Sequence, residues 1–561
     1  AGLLDRTGDG YSFRHEITRR AVEAELPEAR RRDLNAGVLA ALRDRTGVPV
    51  ARLAHHAREA GDTAATAELS PAAGAGASAV GADREAARHL EAAVQASPGD
   101  ADLLRAHAIE CHMIGRLDDA LAAEREALAL HRRAGRREDE GASLRWLSRF
   151  AYLAGRRNEA ERFGHDAVAV LERVPPGGEL AAAYANLAQL EMLGDREAAA
   201  LEWCDRARRL AEALGREDIV CVVLNNMGMA QRWRDMAAAR RLLGDSLDLA
   251  LAHNWQEHAA RAYTNLGSAE VERRALDAGL ATLTAGIAYC GERDLDTLRL
   301  YMKGWLARAH LMRGEWGAAE DAASSVLTDE LATDLARFQA AETLARLRLR
   351  RGDPAVAAPV AELESFLATG REFQRLMPYA TLMAERAWVS AAGIEAALAL
   401  LGEARALSPA PAANADIDLW AAVLAGRPHD WPRLAAERAA AGMPFEEAVA
   451  LLHADDASAR KALVLFEQLG ATAVLDHARR ALAGRGIRGP RRTTLAHGAG
   501  LTVREADVLR LLGDGLTNKG IAQMLNISPK TVDHHVSAVM GKMGATSRGH
   551  AVALAMQKGL I

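Results

Sequence analysis

Apolar positions recur along this chain of 561 residues with the spacing of packed helices. A motif of the form G-[RDE]-x-x-x-A, followed by apolar residues, returns every 38 to 40 residues between residues 84 and 405. A helical period of this length is typical of stacked helix pairs, in which glycine turns the chain and alanine permits close packing. The small position falls at Ala120, Ala160, Ala199, Ala239, Gly279, Ala319, Ala357 and Ala397, with an earlier copy at Ala86. We therefore predict an all-α protein with a solenoid of helix pairs at its centre.

The segments that flank the repeats also have a helical pattern. Residues 1–83 form a first helical region with a stop at Pro27, and residues 406–485 predict closing helix pairs after a Pro/Ala-rich break. Runs of alternating Val, Ile, Thr and aromatic residues bounded by turns are not found, so strand signals are nearly absent. Residues 486–500 are rich in Gly, Pro and Arg and predict a basic linker. The array over 84–405 resembles tetratricopeptide repeats with slightly long units.

Residues 501–561 predict four short helices with clear start signals. Thr502 and Glu505 have the spacing of a capping box, and Thr517 starts the second helix. Ser528 followed by Pro529 suits the start of the third helix, because serine caps well and proline needs no N–H partner there. The second and third helices are joined only by residues 526 and 527, which predicts a helix-turn-helix whose second member enters a DNA major groove.

The third helix of this segment has one apolar and one polar face. Its apolar stripe consists of Val532, Val536, Val539 and Met543. Small residues on the opposite face let a helix approach the groove floor, and polar side chains there can read base edges. That opposite face consists of Lys530, Asp533, His534, Ser537, Ala538 and Gly541.

The segment resembles the LuxR-type helix-turn-helix domain of bacterial transcription regulators. The resemblance runs through Leu501-Thr502-x-Arg504-Glu505, Gly515-Leu516-Thr517-Asn518-Lys519, Ile521-Ala522, Ile527-Ser528-x-Lys530-Thr531-Val532, His535-Val536 and Lys542-Met543-Gly544. It implies that Asp533, His534 and Ser537 read bases of double-stranded DNA. It implies phosphate contacts from Thr517, Lys519, Lys530, Thr531, His535, Lys542 and Arg548.

Two positions depart from the family pattern, which often has Glu at Gly520 and Lys or Arg at Asp533. Asp533 cannot pair with phosphate; it could accept from cytosine N4 or orient His534. The resemblance also implies a homodimer on DNA, formed partly by the last helix through positions such as Val552, Leu554 and Ala555. Such a dimer requires two half-sites about one helical turn apart.

Charge is distributed unevenly along the chain, which carries a net −5. Residues 484–561 carry +7 and the remainder −12, which fits a nucleic-acid-binding end on an acidic body. The four cysteines are too widely spaced to indicate a metal site or a disulfide framework. Neither a membrane-length apolar run nor a signal-peptide layout is found, so the bacterial cytoplasm is the expected location.

The order of the parts resembles the C-terminal portion of MalT-like LuxR-family ATPase regulators. The phosphate-binding pattern G-x-x-x-x-G-K-[ST] is absent from the sequence, so these residues cannot bind ATP by that mechanism. We predict no cofactor, no metal and no enzymatic activity for this chain. The expected function is a transcription regulator whose solenoid senses a protein or small-molecule inducer. The alternatives are a fragment of an ATP-dependent signalling regulator and a helical-repeat scaffold.

Asparagines recur at about the repeat period within the array. They fall at Asn186, Asn225, Asn226 and Asn265. One interpretation is a groove in which these amides clamp a peptide or small ligand. The other, which we favour, is that they bridge neighbouring helices within the stack.

Overall fold

The computed structural model describes residues 4–7, 10–13, 21, 25–484, 501, 503–525 and 527–557. These residues form two compact units, one of residues 1–231 with 237–259 and the other of residues 232–236 with 260–561. Almost all regular structure in the described ranges is α-helical, as predicted. Within those ranges, no helix is long and apolar enough to cross a membrane, and no group of three His, Cys, Asp or Glu residues could hold a metal ion.

The first unit begins with a hairpin that the sequence analysis did not predict. Strand β1 (Leu4–Thr7) pairs antiparallel with β2 (Gly10–Phe13). Strand signals in the sequence do not reveal this hairpin, because four-residue strands leave too few positions for alternation to stand out. The predicted helical pattern around residues 14–24 lies mostly outside the described residues.

The helices that follow pack on one another in chain order. They are α1 (Glu28–Arg43), α2 (Val50–Ala60), α3 (Thr63–Ser78), α4 (Asp83–Ala96), α5 (Ala101–Met113), α6 (Leu117–Ala134), α7 (Arg137–Leu153), α8 (Arg157–Leu171), α9 (Gly178–Leu193), α10 (Glu197–Ala213), α11 (Glu217–Gln231) and α12 (Met236–Ala252).

The second unit continues the helix pairs and adds the closing helices. They are α13 (Gln256–Glu272), α14 (Leu276–Gly291), α15 (Asp296–Met312), α16 (Trp316–Leu327), α17 (Asp334–Arg351), α18 (Ala357–Thr369), α19 (Phe373–Ser390), α20 (Ile394–Ala406), α21 (Ala415–Ala425), α22 (Trp431–Ala440), α23 (Pro444–His453), α24 (Asp456–Leu469) and α25 (Thr472–Gly484). Short 3₁₀ turns at Pro354–Val356 and Pro411–Asn414 precede α18 and α21.

The repeat motif marks the fourth residue of the second helix at seven of its nine positions. Ala120 in α6 and Ala160 in α8 are fully buried there. Gly115 stands two residues before α6 with φ +78°, so its left-handed backbone turns the chain into the second helix. At Gly279 in α14, a Cβ would lie 2.8 Å from Val271 Cγ2 and 3.3 Å from Val271 N, so a larger residue would force the packing at this crossing to shift.

At two positions of the predicted repeat, the buried fourth residue of the helix lies one or three residues after the small residue that the motif selects. Ala199 is only half-buried, and its neighbour Ala200 occupies the fourth position of α10. Ala357 is exposed at the first residue of α18, where Val360 is the buried fourth residue. The cause at Ala357 is the 3₁₀ turn that precedes α18, since it displaces the helix start relative to the motif.

Two of the recurrent asparagines bridge the first helices of successive repeats in the first unit. Asn186 Nδ2 in α9 donates to Ser148 Oγ in α7 at 2.9 Å. Asn226 Nδ2 in α11 donates to the carbonyl of Ala185 in α9 at 3.2 Å. The bridging role is therefore confirmed for these two residues, because buried amides need such partners.

The closing helices α21–α25 share one apolar core with α15–α20 in the second unit. Buried charges join α17 to α19, and Arg350 Nη2 of α17 also lies 3.5 Å from Glu446 Oε1 of the closing helix α23. Glu385 accepts from Arg350 Nε at 2.7 Å and from Arg346 Nη1 at 2.9 Å. The Arg350 guanidinium also lies 3.5 Å from the ring centre of Phe445 in α23. Asp416 in α21 accepts from Arg274 at 2.6 Å.

Candidate nucleic-acid interface

The C-terminal residues fold into four helices close to the positions predicted from their start signals. Helices α26 (Val503–Gly513), α27 (Asn518–Leu525), α28 (Pro529–Met543) and α29 (Arg548–Gln557) form this domain. Thr502, the first residue of the predicted capping box, lies outside the described residues, as does the basic linker 486–500. The domain therefore has the helix order that a helix-turn-helix requires.

The start and end of α28 are each set by one residue. Ser528 is the N-cap, and its Oγ accepts from the backbone N–H of Thr531 at 3.1 Å. Gly544 ends the helix in the left-handed region at φ +66°. The N–H of Ile527 donates to the carbonyl of Ala522 at 3.0 Å and closes the end of α27. The contacts of Ile527 and Ser528 hold the short turn between α27 and α28. Asn526, within this turn, lies outside the described residues.

The apolar stripe of α28 is buried, as predicted, and it contacts two separate cores. Val532 and Val536 pack with Val508, Leu512 and Ile521 of α26 and α27. The other half of the stripe packs with Leu501, Leu509, Ala551 and Ala555, through Val539 and Met543. Because both halves of the stripe are packed inward, the opposite face of α28 is held outward along its whole length.

The predicted base-reading residues lie on that outward face of α28. Asp533, His534 and Ser537 are all exposed. Ala538, next to Ser537, is half-buried. A Cβ added at Gly541 would meet no other atom within 4 Å. Polar groups with small residues beside them form a surface that can approach the floor of a groove.

Asp533 is held by a residue that the sequence analysis did not select. Asn518 Nδ2, at the start of α27, donates to Asp533 Oδ1 at 3.2 Å. The guanidinium of Arg548 in α29 donates to the amide oxygen of Asn518. Asn518 matched the family motif, but no local spacing shows that residues 518, 533 and 548 meet. The contact joins three helices through side chains alone.

The predicted phosphate-binding residues differ in how far their polar groups are engaged within the domain. Lys519 and Lys530 are exposed cations. Lys542 Nζ lies 2.6 Å from Oε2 of the buried Glu505, a contact that the sequence analysis did not predict. Of the remaining members, His535 is half-buried and Arg548 donates to Asn518. The Thr517 Oγ1 accepts from the backbone N–H of Gly520. The Thr531 hydroxyl is hydrogen-bonded to that of Ser528.

One of the predicted dimer contacts in α29 faces the inside of the domain. Ala555 is fully buried in the core, so the prediction that it contacts a second copy was wrong. Val552 and Leu554 are half-buried against the same core. Neighbouring apolar residues look alike in the sequence, but a helix turns consecutive side chains about 100° apart, so they face different directions. Met556 is 60% exposed and is the large apolar side chain that this helix presents outward.

Comparison with known proteins identifies this domain. The family model described as bacterial regulatory proteins, luxR family, matches residues 499–555. An HTH-type transcriptional regulator of Mycobacterium bovis is 43% identical over 79 residues, which are 14% of this chain and 9% of the relative. The transcriptional regulatory protein YdfI of Bacillus subtilis is 43% identical over 61 residues, which are 11% of this chain and 29% of YdfI. The chain thus covers less than a third of these relatives.

Solved structures align with this chain at low sequence identity and low TM-score. A signal transduction ATPase with a tetratricopeptide repeat sensor from Pyrococcus horikoshii aligns with 63% of this chain and 54% of its own. The sequence identity is 14% and the TM-score is 0.37. The C-terminal domain, by its sequence match and its four helices, belongs to the luxR family of helix-turn-helix regulatory proteins.

Proposed function

We propose that this chain is a sequence-specific DNA-binding transcription regulator in which α28 enters the major groove. The observation that carries the proposal is the exposure of Asp533, His534 and Ser537 on the face opposite the buried stripe of α28. In this proposal, these three side chains read base edges.

Phosphate contacts would position α28 in the groove. Lys519 and Lys530 supply exposed charge at the starts of α27 and α28. The helix N-termini there add the partial positive charge of their unpaired N–H groups. The other residues of the proposed set are Thr517, Thr531, His535, Lys542 and Arg548. Neutralising phosphates releases counterions, so binding would weaken as salt rises.

The helical repeats are proposed to sense a protein or small-molecule inducer. Stacked helix pairs offer extended surfaces for such partners. A homodimer on DNA, with the exposed face of α29 between the two copies, would place the chain on two half-sites. This role belongs in the cytoplasm of a bacterium.

Selection from a random duplex library by the full chain tests the DNA-binding proposal. We expect a motif with two-fold symmetry, and log Kobs that falls with log salt by about 0.9 per phosphate contacted. His534→Ala and Ser537→Ala should each weaken the selected site by about 1–3 kcal/mol at one base pair. Lys461→Ala, at an exposed position of α24, is the control and should leave the motif unchanged.

The same selection with residues 484–561 separates the roles of the two parts. This segment contains both apolar cores of the domain. If only the segment selects a motif, the repeat body masks the domain, and the search turns to its inducer. If neither the full chain nor the segment binds duplex DNA, the proposal is wrong and the scaffold alternative replaces it.

A further inference from the structure

We propose that Asn518 is a positioning residue for DNA specificity, because it orients the carboxylate of Asp533 toward a base that presents an amino group in the major groove. The inference rests on the proposed function. It concerns a residue that lies outside the base-reading face of α28, at the start of the preceding helix. The same amide binds Arg548, so it connects a base-reading group with a phosphate-binding group.

The hydrogen bonds of Asn518 run in one direction. A guanidinium can only donate, so Arg548 must bind the amide oxygen of Asn518. The amide nitrogen then faces Asp533 and donates to Oδ1 at 3.2 Å. Asp533 is thus held as an acceptor by a neutral donor. A lysine or arginine in place of Asn518 would bring its own charge to this surface.

The chemistry of a held carboxylate selects the base. An ionised carboxylate is an acceptor only, and Oδ2 of Asp533 can accept a further hydrogen bond. In the major groove, the exocyclic amino groups of cytosine and adenine donate, whereas guanine O6 and N7 and thymine O4 accept. Acceptor facing acceptor is repulsive, so the base that Oδ2 of Asp533 faces must be cytosine, which offers N4, or adenine, which offers N6, rather than guanine or thymine.

Orienting the Asp533 carboxylate before DNA is bound favours the selection of cytosine or adenine. A surface side chain that is free to rotate loses conformational freedom when it meets a base. The Arg548–Asn518–Asp533 chain removes part of that freedom in the unbound domain, because its members belong to α29, α27 and α28. Loss of Asn518 should therefore weaken discrimination at one base pair and leave discrimination at the other positions intact.

The test compares base preference at single positions of the selected site, measured with the full chain. Asp533→Ala identifies the base pair that Asp533 faces, as the position whose preference for cytosine or adenine disappears. We expect Asn518→Ala to reduce preference at that same position by about tenfold, the size of a hydrogen bond to a charged group. Gln523→Ala, an exposed amide on the same helix, is the matched control and should retain the preference.

Several outcomes would overturn the inference. If Asn518→Ala weakens binding equally at every position, with full preference at the Asp533 position, Asn518 has only a structural role. If Asn518→Ala lowers the affinity for the selected site equally in the wild-type and Asp533→Ala backgrounds, the two residues are not coupled. If the wild-type chain selects no motif at all, the proposed function fails, and this inference fails with it. Thermal unfolding of each variant confirms that the compared chains are folded.

Discussion

Charged side chains occupy opposite environments in the helices of residues 260–484 and in the C-terminal domain 501–557. Among the repeats, Glu385 is fully buried and is held by the buried Arg346 and Arg350. In the domain, Lys530 and Asp533 are exposed on the outward face of α28 and its first turn. The residue types are similar in the two regions. The buried charges among the repeats pair with one another, whereas the exposed charges of the C-terminal domain face solvent.

The two environments have different energetic consequences. A buried charge that loses its partner keeps the cost of desolvation, so the network around Glu385 holds α17 against α19. Arg350 extends this network to Glu446 of the closing helix α23, at 3.5 Å. An exposed charge contributes little to folding because water and salt screen it. Exposed residues such as Lys530 are therefore available to bind a ligand, and replacing them should have little effect on the free energy of unfolding. The comparison predicts that stability and DNA recognition can be altered separately.

The largest expected effect is on the buried network. Glu385→Ala should lower the free energy of unfolding by about 3–5 kcal/mol, because Arg346 and Arg350 would remain buried without their shared partner. Urea unfolding of the full chain measures this loss. Glu403→Ala is the matched control, since its pair with Arg371 is exposed and should matter far less. Equal losses in the two variants would contradict the comparison.

A smaller effect that depends on pH is expected at Asp416. Burial opposes ionisation, but Arg274 and Arg438 outweigh it and hold the pKa of Asp416 well below its usual range. The ionised carboxylate therefore stabilises the fold above the unfolded pKa of about 3.9, and this contribution is lost as pH falls below it.

Asp416→Asn tests this sign. At neutral pH it should cost about 1–2 kcal/mol, reduced from a fully buried pair because the Asp416 side chain is 32% exposed. The difference from wild type should shrink as the pH is lowered below about 4. A difference that stays constant from pH 7 to pH 3 would show that charge is not the cause.

Two serines on or beside α28 sharpen the distinction within the C-terminal domain. Ser528→Ala removes the N-cap and should lower the stability of the domain by about 1 kcal/mol, with base preference retained. Ser537→Ala should do the reverse, since its exposed hydroxyl caps no helix and faces the proposed groove. Thermal unfolding and duplex selection on both variants measure the two effects. Loss of stability in Ser537→Ala would contradict this assignment.

The smallest effect on stability is expected at Lys530. Lys530→Ala should leave unfolding unchanged and reduce the slope of log Kobs against log salt by about 0.9, the share of one phosphate contact. Binding should weaken for specific and random duplexes alike, because phosphate contacts carry no base information. Lys461→Ala, with a similarly exposed lysine on α24, should leave the slope unchanged.

Features that depend on neighbouring residues in the chain were predictable. Ser528 and Pro529 predicted the start of α28, and the structure confirms both the cap and the first residue. The stripe from Val532 to Met543 predicted the buried face, because helical periodicity is a local property. The repeat period located the buried small residues to within a few positions. Its errors at Ala199 and Ala357 reflect local shifts in the residues that begin the second helices.

Features that depend on distant residues were not predictable in the same way. The bond between Asn518 and Asp533 and the pair of Lys542 with Glu505 each join different helices of the domain. No periodicity relates such positions, and polar residues at a helix start have many possible partners. The burial of Ala555 was missed for a similar reason, since its direction depends on how α29 packs against α28.

The sequence by itself determined the helical class, the repeat period and the helix-turn-helix, because caps, glycine turns and apolar stripes act within a few residues. Tertiary structure alone decided which charges became internal supports and which remained available for a ligand. Arg346 and Glu385 are 39 residues apart and pair only after their helices have packed. Burial is a property of the packed chain, and it changes what the same carboxylate or guanidinium contributes.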